Sequence, residues 1–274
     1  REDTTWRGEM TVEGTVVVGR RATLYVEPGT HVRFKRVDRD RDGVGDAGLR
    51  VLGRLLVRGT AAAPVRFSSG ENTPQPGDWS HLLVFTGRGQ SVIEHASIEH
   101  AFTGLQVHFS DALIRDSTLH GNVEGLRFGR AFVHAERNDI SGNRYGIRQH
   151  RVERGVTIVN NRINENDVGV FLIPSGQNTL DFSAERYVAD ERFRAAPRVR
   201  GNSILGNRTY DLQLGERFCY DIDVTGNWWG TTWSPEIEAH VFHNADDQTL
   251  GRVLFEPVLG RPADAAPKGR GIHE

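Results

Sequence analysis

The run Asp38-Arg39-Asp40-Arg41-Asp42-Gly43-Val44-Gly45-Asp46 has the residue types and spacing best suited to chemistry in this chain. Carboxylates alternate at 38, 40 and 42, a glycine follows, and a fourth carboxylate comes at 46. A hard cation such as Ca²⁺ takes roughly six to eight oxygens from a loop short enough to wrap it. Asp38, Asp40, Asp42 and Asp46 would supply side-chain oxygens, Val44 its backbone carbonyl, and Gly43 the sharp turn. Without a metal, the carboxylates crowd together with Arg39 and Arg41 as their relief. The expected cofactor is therefore Ca²⁺, and its expected role is to pin an excursion at 37–48. The same residues also read as a solvated acidic loop.

A second set repeats at a fixed offset. Arg127 and Arg148 occupy equivalent positions, and His108 and His150 fall two residues beyond that column. Stacked on one wall, these four could read an acidic glycan through bidentate guanidinium–carboxylate contacts. They could equally form an ordinary polar face. A third set is Asp221 and Asp223, which point the same way if they lie on a strand, about 6.6 Å apart. That is a tolerable acid/base spacing. Stacking places Asp223 beside Arg198, which gives a plain ion-pair reading. The eleven histidines show no metal-ligand spacing. The single cysteine, Cys219, excludes an internal disulfide and reads as a small core residue.

What must position these groups is a repeat. Ile98, Leu119, Ile140 and Ile163 recur at steps of 21, 21 and 23 residues, and Gly104, Gly125, Gly146 and Gly169 keep the same steps. Two columns moving together at a period near 20 mark a solenoid. The segments between are of strand length, without helical period. Coiling lets each strand pair in parallel with its copy one turn later, about 4.8 Å away. Asn138, Asn161, Asn202 and Asn227 form one column, and Asn122, Asn143, Asn166 and Asn207 another. They are expected at tight corners, tolerating left-handed backbone, with the glycine column supplying positive φ. Glu94, Arg115 and Glu136 alternate in sign and predict a solvated ion-pair ladder.

The first coils are expected at Thr11–Phe34 and Leu49–Phe67, with His31-Val32-Arg33-Phe34 echoed by Pro64-Val65-Arg66-Phe67. Residues 176–197 break the rhythm as a lateral loop, and Ile204 resumes it 41 residues after Ile163, close to two repeats. Residues 231–262 read as a C-terminal cap with a helix over 235–242 and a strand at 252–255. One β-helix domain over 1–262 and a frayed tail at 263–274 complete the division.

The Asn-x-Ile and Asn-x-x-Gly-Leu/Ile/Val repeats resemble the right-handed parallel β-helix superfamily of pectate lyases, polygalacturonases, alginate epimerases and NosD-like proteins. The resemblance covers about Thr11 to Gly230. The ending Gly226-Asn227-Trp228-Trp229-Gly230, with Gly251 to Leu259, is similar to the cap of exported bacterial β-helix proteins. The loop at 38–46 resembles the Asp-rich calcium loops of dockerin or thrombospondin type, since Leu49 stands where an EF-hand has Glu. The resemblance implies an all-β fold, a right-handed single-stranded parallel β-helix. It implies a periplasmic, cell-surface or extracellular setting, with any signal segment already removed. The Gly-His-Gly and Asp-Pro-His-Asp motifs of the family's enzymes are absent. The expected function is a calcium-stabilised structural or binding module. It would present a flat face to a polysaccharide or surface-protein partner, in a homo- or hetero-assembly. The alternative is a polysaccharide lyase, epimerase or glycoside hydrolase with diverged motifs. A net charge of -2 gives no field for nucleic acid, and no apolar run is long enough to span a membrane.

Overall fold

The structure, a computed structural model, describes residues 2–87, 89–150, 155–173 and 198–263. The 176–197 loop, and all but the first residue of the 263–274 tail expected from the sequence, lie outside the described residues. Among those residues no helix is long and apolar enough to cross a membrane.

Each turn of the chain lays down three short strands, and each strand pairs in parallel with its counterpart one turn on. The result is three parallel sheets of eight, eight and nine strands. The first runs from Thr4–Trp6 to Arg198–Arg200, the second from Glu9–Val12 to Ser203–Leu205, and the third from Thr15–Val18 to Val241–Phe242. The anchor column holds in register: Ile98, Leu119, Ile140, Ile163 and Ile204 are successive partners. The 41-residue step from Ile163 to Ile204 is therefore one long turn, not two. In the first coils His31 pairs with Arg66 and Val32 with Phe67, two residues from the echo read in the sequence. A shift of two keeps every side chain on its face, so the alternation alone could not expose it.

The inward columns make one continuous apolar core. Leu105, Leu126, Ile147, Val170 and Leu212 line the third sheet and are fully buried. Each such side chain contributes about 1.5–3 kcal/mol as an upper bound. Near the N-terminal end Trp79 stacks on Phe34 at 4.2 Å.

The corners correct the sequence reading. The ladder asparagines are not themselves left-handed. The residue before each one is: Arg137 and Asn160 precede Asn138 and Asn161, and His95 and Asp116 precede Ala96 and Ser117 of the same column, with φ from 46° to 58°. Gly121, Gly142, Glu165 and Gly206 serve the other corner. Each asparagine lies inside the turn and accepts from the previous ladder residue. Asn143 Oδ1 takes the Asn122 backbone N–H at 2.9 Å and its Nδ2 at 3.1 Å. The glycine column has no positive φ either. At Gly146 a Cβ would lie 2.6 Å from the Gly169 carbonyl and 2.9 Å from Asn166 Nδ2. Glycine is required there because adjacent turns and their asparagines approach too closely for any side chain.

The ion-pair ladder forms in part. Arg115 Nε donates to Glu94 at 2.6 Å, but Glu136 turns to Arg137 at 2.7 Å. Beyond Gly230 the helix spans Ser234–Glu238, shorter than expected, and buries Ile237. Val241–Phe242 then adds a strand to the third sheet, and Val253–Leu254 pairs with Ile222–Asp223. Trp229 is buried against Phe255. Cys219 is exposed, and its neighbour Phe218 takes the core position instead.

Candidate functional site

The Asp-rich loop leaves the coil between His31–Phe34 and Gly48–Val51 and is tied down at its exit. The Asp46 N–H donates to the Val37 carbonyl at 2.7 Å, and the Gly45 N–H to Gly77 at 2.9 Å. Inside it, one oxygen from each of Asp38, Asp40 and Asp42 lies within 4.8 Å of the others. Asp38 Oδ2 accepts the Gly43 N–H at 3.0 Å, and Asp42 Oδ1 the Val44 N–H at 2.8 Å. The other Asp38 oxygen, Oδ1, is buried and has no hydrogen-bond partner. A buried acceptor without a donor calls for a cation or proton. Asp46 stands apart from this trio and accepts the Arg39 N–H at 2.9 Å. The three alternating carboxylates thus fit a hard cation. Asp46 closes the loop, and the Val44 carbonyl lies within it.

The second site lies on the outward face of the third sheet. Gln106, Arg127, Arg148 and Phe171 are successive partners, as the sequence columns predict. Between the two arginines sits a residue that sequence reasoning passed over, Glu124. It lies on an outward-facing sheet, yet its side chain is only 1% exposed. It accepts from Thr103 Oγ1 at 2.7 Å, from Arg127 Nη1 at 3.3 Å, and from Arg148 Nη1. Burial alone would push its carboxyl up. The Arg127 charge, the Thr103 hydroxyl and Arg148 outweigh that and hold it below its usual value. The signal was available: Glu124 precedes Arg127 by three residues and shares a column with Thr103 and Tyr145.

The arginines are therefore not the open forks that the columns suggested. Each spends one N–H on Glu124. Their Nε atoms are buried without partners, while the heads remain about a quarter exposed, 27% and 26%. Arg148 also lies over Tyr145 and Phe171, whose rings stack at 5.3 Å. His108 Nδ1 bonds the Gly129 carbonyl at 3.0 Å, and its Nε2 faces Gln106. His150 Nε2 is buried without a partner.

Two histidines on this wall are held neutral. Burial lowers His81 to about 4, helped by Arg50 and Arg127. Burial lowers His150 to about 4 as well, with Arg127 and Arg148 assisting and Glu124 opposing. The folded state resists protonation that the unfolded chain accepts at its ordinary value of 6.5. Stability is thus complete above 6.5 and is lost as pH falls from there toward about 4. Urea midpoints measured between pH 7.5 and 4 should decline on this account, and replacing both His81 and His150 with Gln should flatten that decline.

Asp221 and Asp223 are each taken by an arginine. Asp221 accepts from Arg252 at 2.6 Å, and Asp223 from Arg200 at 2.6 Å rather than from Arg198. Arg252 holds the Asp221 carboxyl low. The Thr225 bonds, with Arg200, do the same for Asp223. Both stay ionised near neutral pH, so neither is poised to donate a proton.

The parallel coil, the buried asparagine ladders and the three-sheet register decide the architecture, and comparison with known families agrees. The family described as right handed beta helix region matches residues 71–188. The chain is a right-handed parallel β-helix. No match emerged among curated proteins or solved structures. Both candidate sites are departures from this β-helix: the Asp-rich loop interrupts its rhythm, and Glu124 interrupts the outward face of its third sheet.

Proposed function

We propose that this chain is a calcium-stabilised β-helix module that presents its third sheet to an acidic polysaccharide or a protein partner. The observation that carries this reading is the pair Arg127 and Arg148. Both are about three-quarters buried, both keep donors after binding Glu124, and Arg148 lies over the stacked Tyr145 and Phe171. A guanidinium next to an aromatic platform suits a sugar ring that carries a carboxylate. Ca²⁺ would sit among Asp38, Asp40 and Asp42, with the buried Asp38 Oδ1 as one of its ligands. The tryptophan-rich ending, similar to caps of exported bacterial β-helix proteins, supports a surface or periplasmic assembly.

Chelation with EGTA should lower the melting temperature, and added Ca²⁺ should restore it. At about a hundred times its dissociation constant, a ligand adds about 2.7 kcal/mol. Asp40→Ala and Asp42→Ala should abolish this response. If they leave calcium uptake unchanged, the loop is not a site. Retardation of the protein in gels containing polyuronate should weaken with Arg148→Ala. A polysaccharide-active enzyme is the second reading, favoured by the ionised Glu124 close to a neutral His150. Turnover of a polysaccharide panel that is lost in Arg148→Ala would select it over the binding module.

A further inference from the structure

The second sheet carries a different polar constellation. Glu9, His31 and Ser68 stand on three successive turns, in strands Glu9–Val12, His31–Phe34 and Val65–Ser69. Glu9 is the register partner of His31, and Ser68 is that of Arg33, so Ser68 lies diagonally from the imidazole. His31 Nε2 is 2.9 Å from Ser68 Oγ. On the opposite edge of the ring, His31 Nδ1 is 3.5 Å from Glu9 Oε2. Arg33 Nη1 binds the same Glu9 oxygen at 2.8 Å and so fixes the carboxylate beside the ring.

A serine hydroxyl on one imidazole nitrogen and a carboxylate on the other is the arrangement that makes serine a nucleophile. It recurs on unrelated folds, where geometry and not sequence order identifies it. In the ladder-like faces of a solenoid, polar residues usually meet side by side. Here the two ring nitrogens are divided between two partners, and Ser68 Oγ, which also lies 3.2 Å from the Ser69 carbonyl, must turn its proton to Nε2 for transfer. Burial, and then the Arg33 charge, hold the imidazole below its ordinary value against the pull of Glu9. At neutral pH it is an acceptor.

We propose that Ser68 is the nucleophile of an acyl-transfer site, with His31 as its general base and Glu9 as the residue that positions the imidazole. In the reaction the Ser68 proton passes to His31 Nε2 as Oγ bonds to the ester carbonyl carbon. The carbon–oxygen bond to the leaving alcohol then breaks, and that alcohol takes the proton from His31. A water molecule, deprotonated by the same nitrogen, then releases the acyl group as its acid and restores Ser68. Arg66 lies two residues before Ser68 on the same face and is about half exposed, held loosely to Glu99 at 3.7 Å. Its charge is available to the oxyanion that forms at each step. Ser68 is only 7% exposed, so the approach is narrow and the substrate class is esters of small acyl groups such as acetyl.

The test uses the whole chain and two probes, a fluorophosphonate and p-nitrophenyl acetate. The phosphonyl adduct should map by mass spectrometry to the peptide that carries Ser68. Ser68→Ala should abolish labelling, and His31→Gln should slow it by about 100-fold or more. Glu9→Gln should lower kcat on p-nitrophenyl acetate about tenfold with KM unchanged, and Glu9→Asp should recover part of that loss. Ser97→Ala, on a neighbouring turn, should react as wild type, and each variant should keep the wild-type melting temperature within a few degrees. An adduct on another residue overturns the proposal. So does labelling of wild type no faster than of Ser68→Ala, or a folded His31→Gln that labels at the wild-type rate.

Discussion

Glu124→Gln is expected to lower the unfolding free energy by about 2–4 kcal/mol at neutral pH. The carboxylate is almost wholly buried and serves Thr103, Arg127 and Arg148 together. Removing its charge leaves two guanidinium groups facing a neutral amide that can accept at only one oxygen. Breaking a fully buried ion pair costs roughly 3–5 kcal/mol. Here the arginine heads are about a quarter exposed, so water takes part of the load and the loss falls toward the lower end. The pH dependence has a definite sign. The folded carboxyl titrates below its ordinary value of 4.5. Its stabilisation is therefore complete above 4.5 and disappears as pH falls through the lower folded value. Urea midpoints for wild type and Glu124→Gln should differ most at pH 7 and converge in acid. Equal midpoints at pH 7 would mean that the carboxylate does not hold the wall together.

Asn143→Ala should cost about 3–5 kcal/mol, more than most core truncations of similar size. Asn143 sits in the middle of a buried ladder. Its Oδ1 accepts twice from Asn122, and its Nδ2 donates to the Leu119 carbonyl at 3.0 Å and to Asn166 at 3.0 Å. Alanine leaves the Asn122 N–H and the Leu119 carbonyl without partners inside the coil. Each buried orphan costs about 1–3 kcal/mol. The far end of the ladder shows what the pattern tolerates. Asp211 replaces asparagine there as the last acceptor, taking the Asn207 N–H at 3.1 Å and Nδ2 at 2.7 Å. Burial raises its carboxyl, despite the Asn207 bonds. Equilibrium denaturation of Asn143→Ala beside Asn143→Asp would separate lost donors from lost acceptors. A change under 1 kcal/mol for the alanine variant would show that water enters the corner and satisfies what the ladder leaves.

The coil was legible because a parallel solenoid forces like residues into columns, and columns survive in the sequence as fixed steps. The anchors from Ile98 to Ile204 and both asparagine ladders could be read this way. The reasons behind some columns could not. The glycines at 104, 125, 146 and 169 suggested turns with positive φ. What excludes a side chain there is the neighbouring turn's carbonyl, and that distance is a property of the stack. Left-handed corners also fall on Arg137 and Glu165, residues with no intrinsic preference for that backbone. They adopt it because the ladder asparagine that follows is already committed inside the turn.

The same division runs through the candidate sites. The Asp-rich loop is local, so its alternation could be read directly, and its carboxylates of 38, 40 and 42 come together. Arg127 and Arg148 were legible as a column. The buried carboxylate between them left only its three-residue spacing from Arg127 as a signal, because Glu124 reaches Arg148 from a different column of the same wall. Asp223 found Arg200, and Ser68 found His31, through diagonals between turns. Sequence by itself determined the period, the inward anchors and the loop that departs from them, since these depend on spacing along the chain. Tertiary structure alone decided which side chains meet diagonally, between different columns of successive turns. One turn's diagonal neighbour depends on loop lengths and a register that a two-residue slip leaves outwardly unchanged.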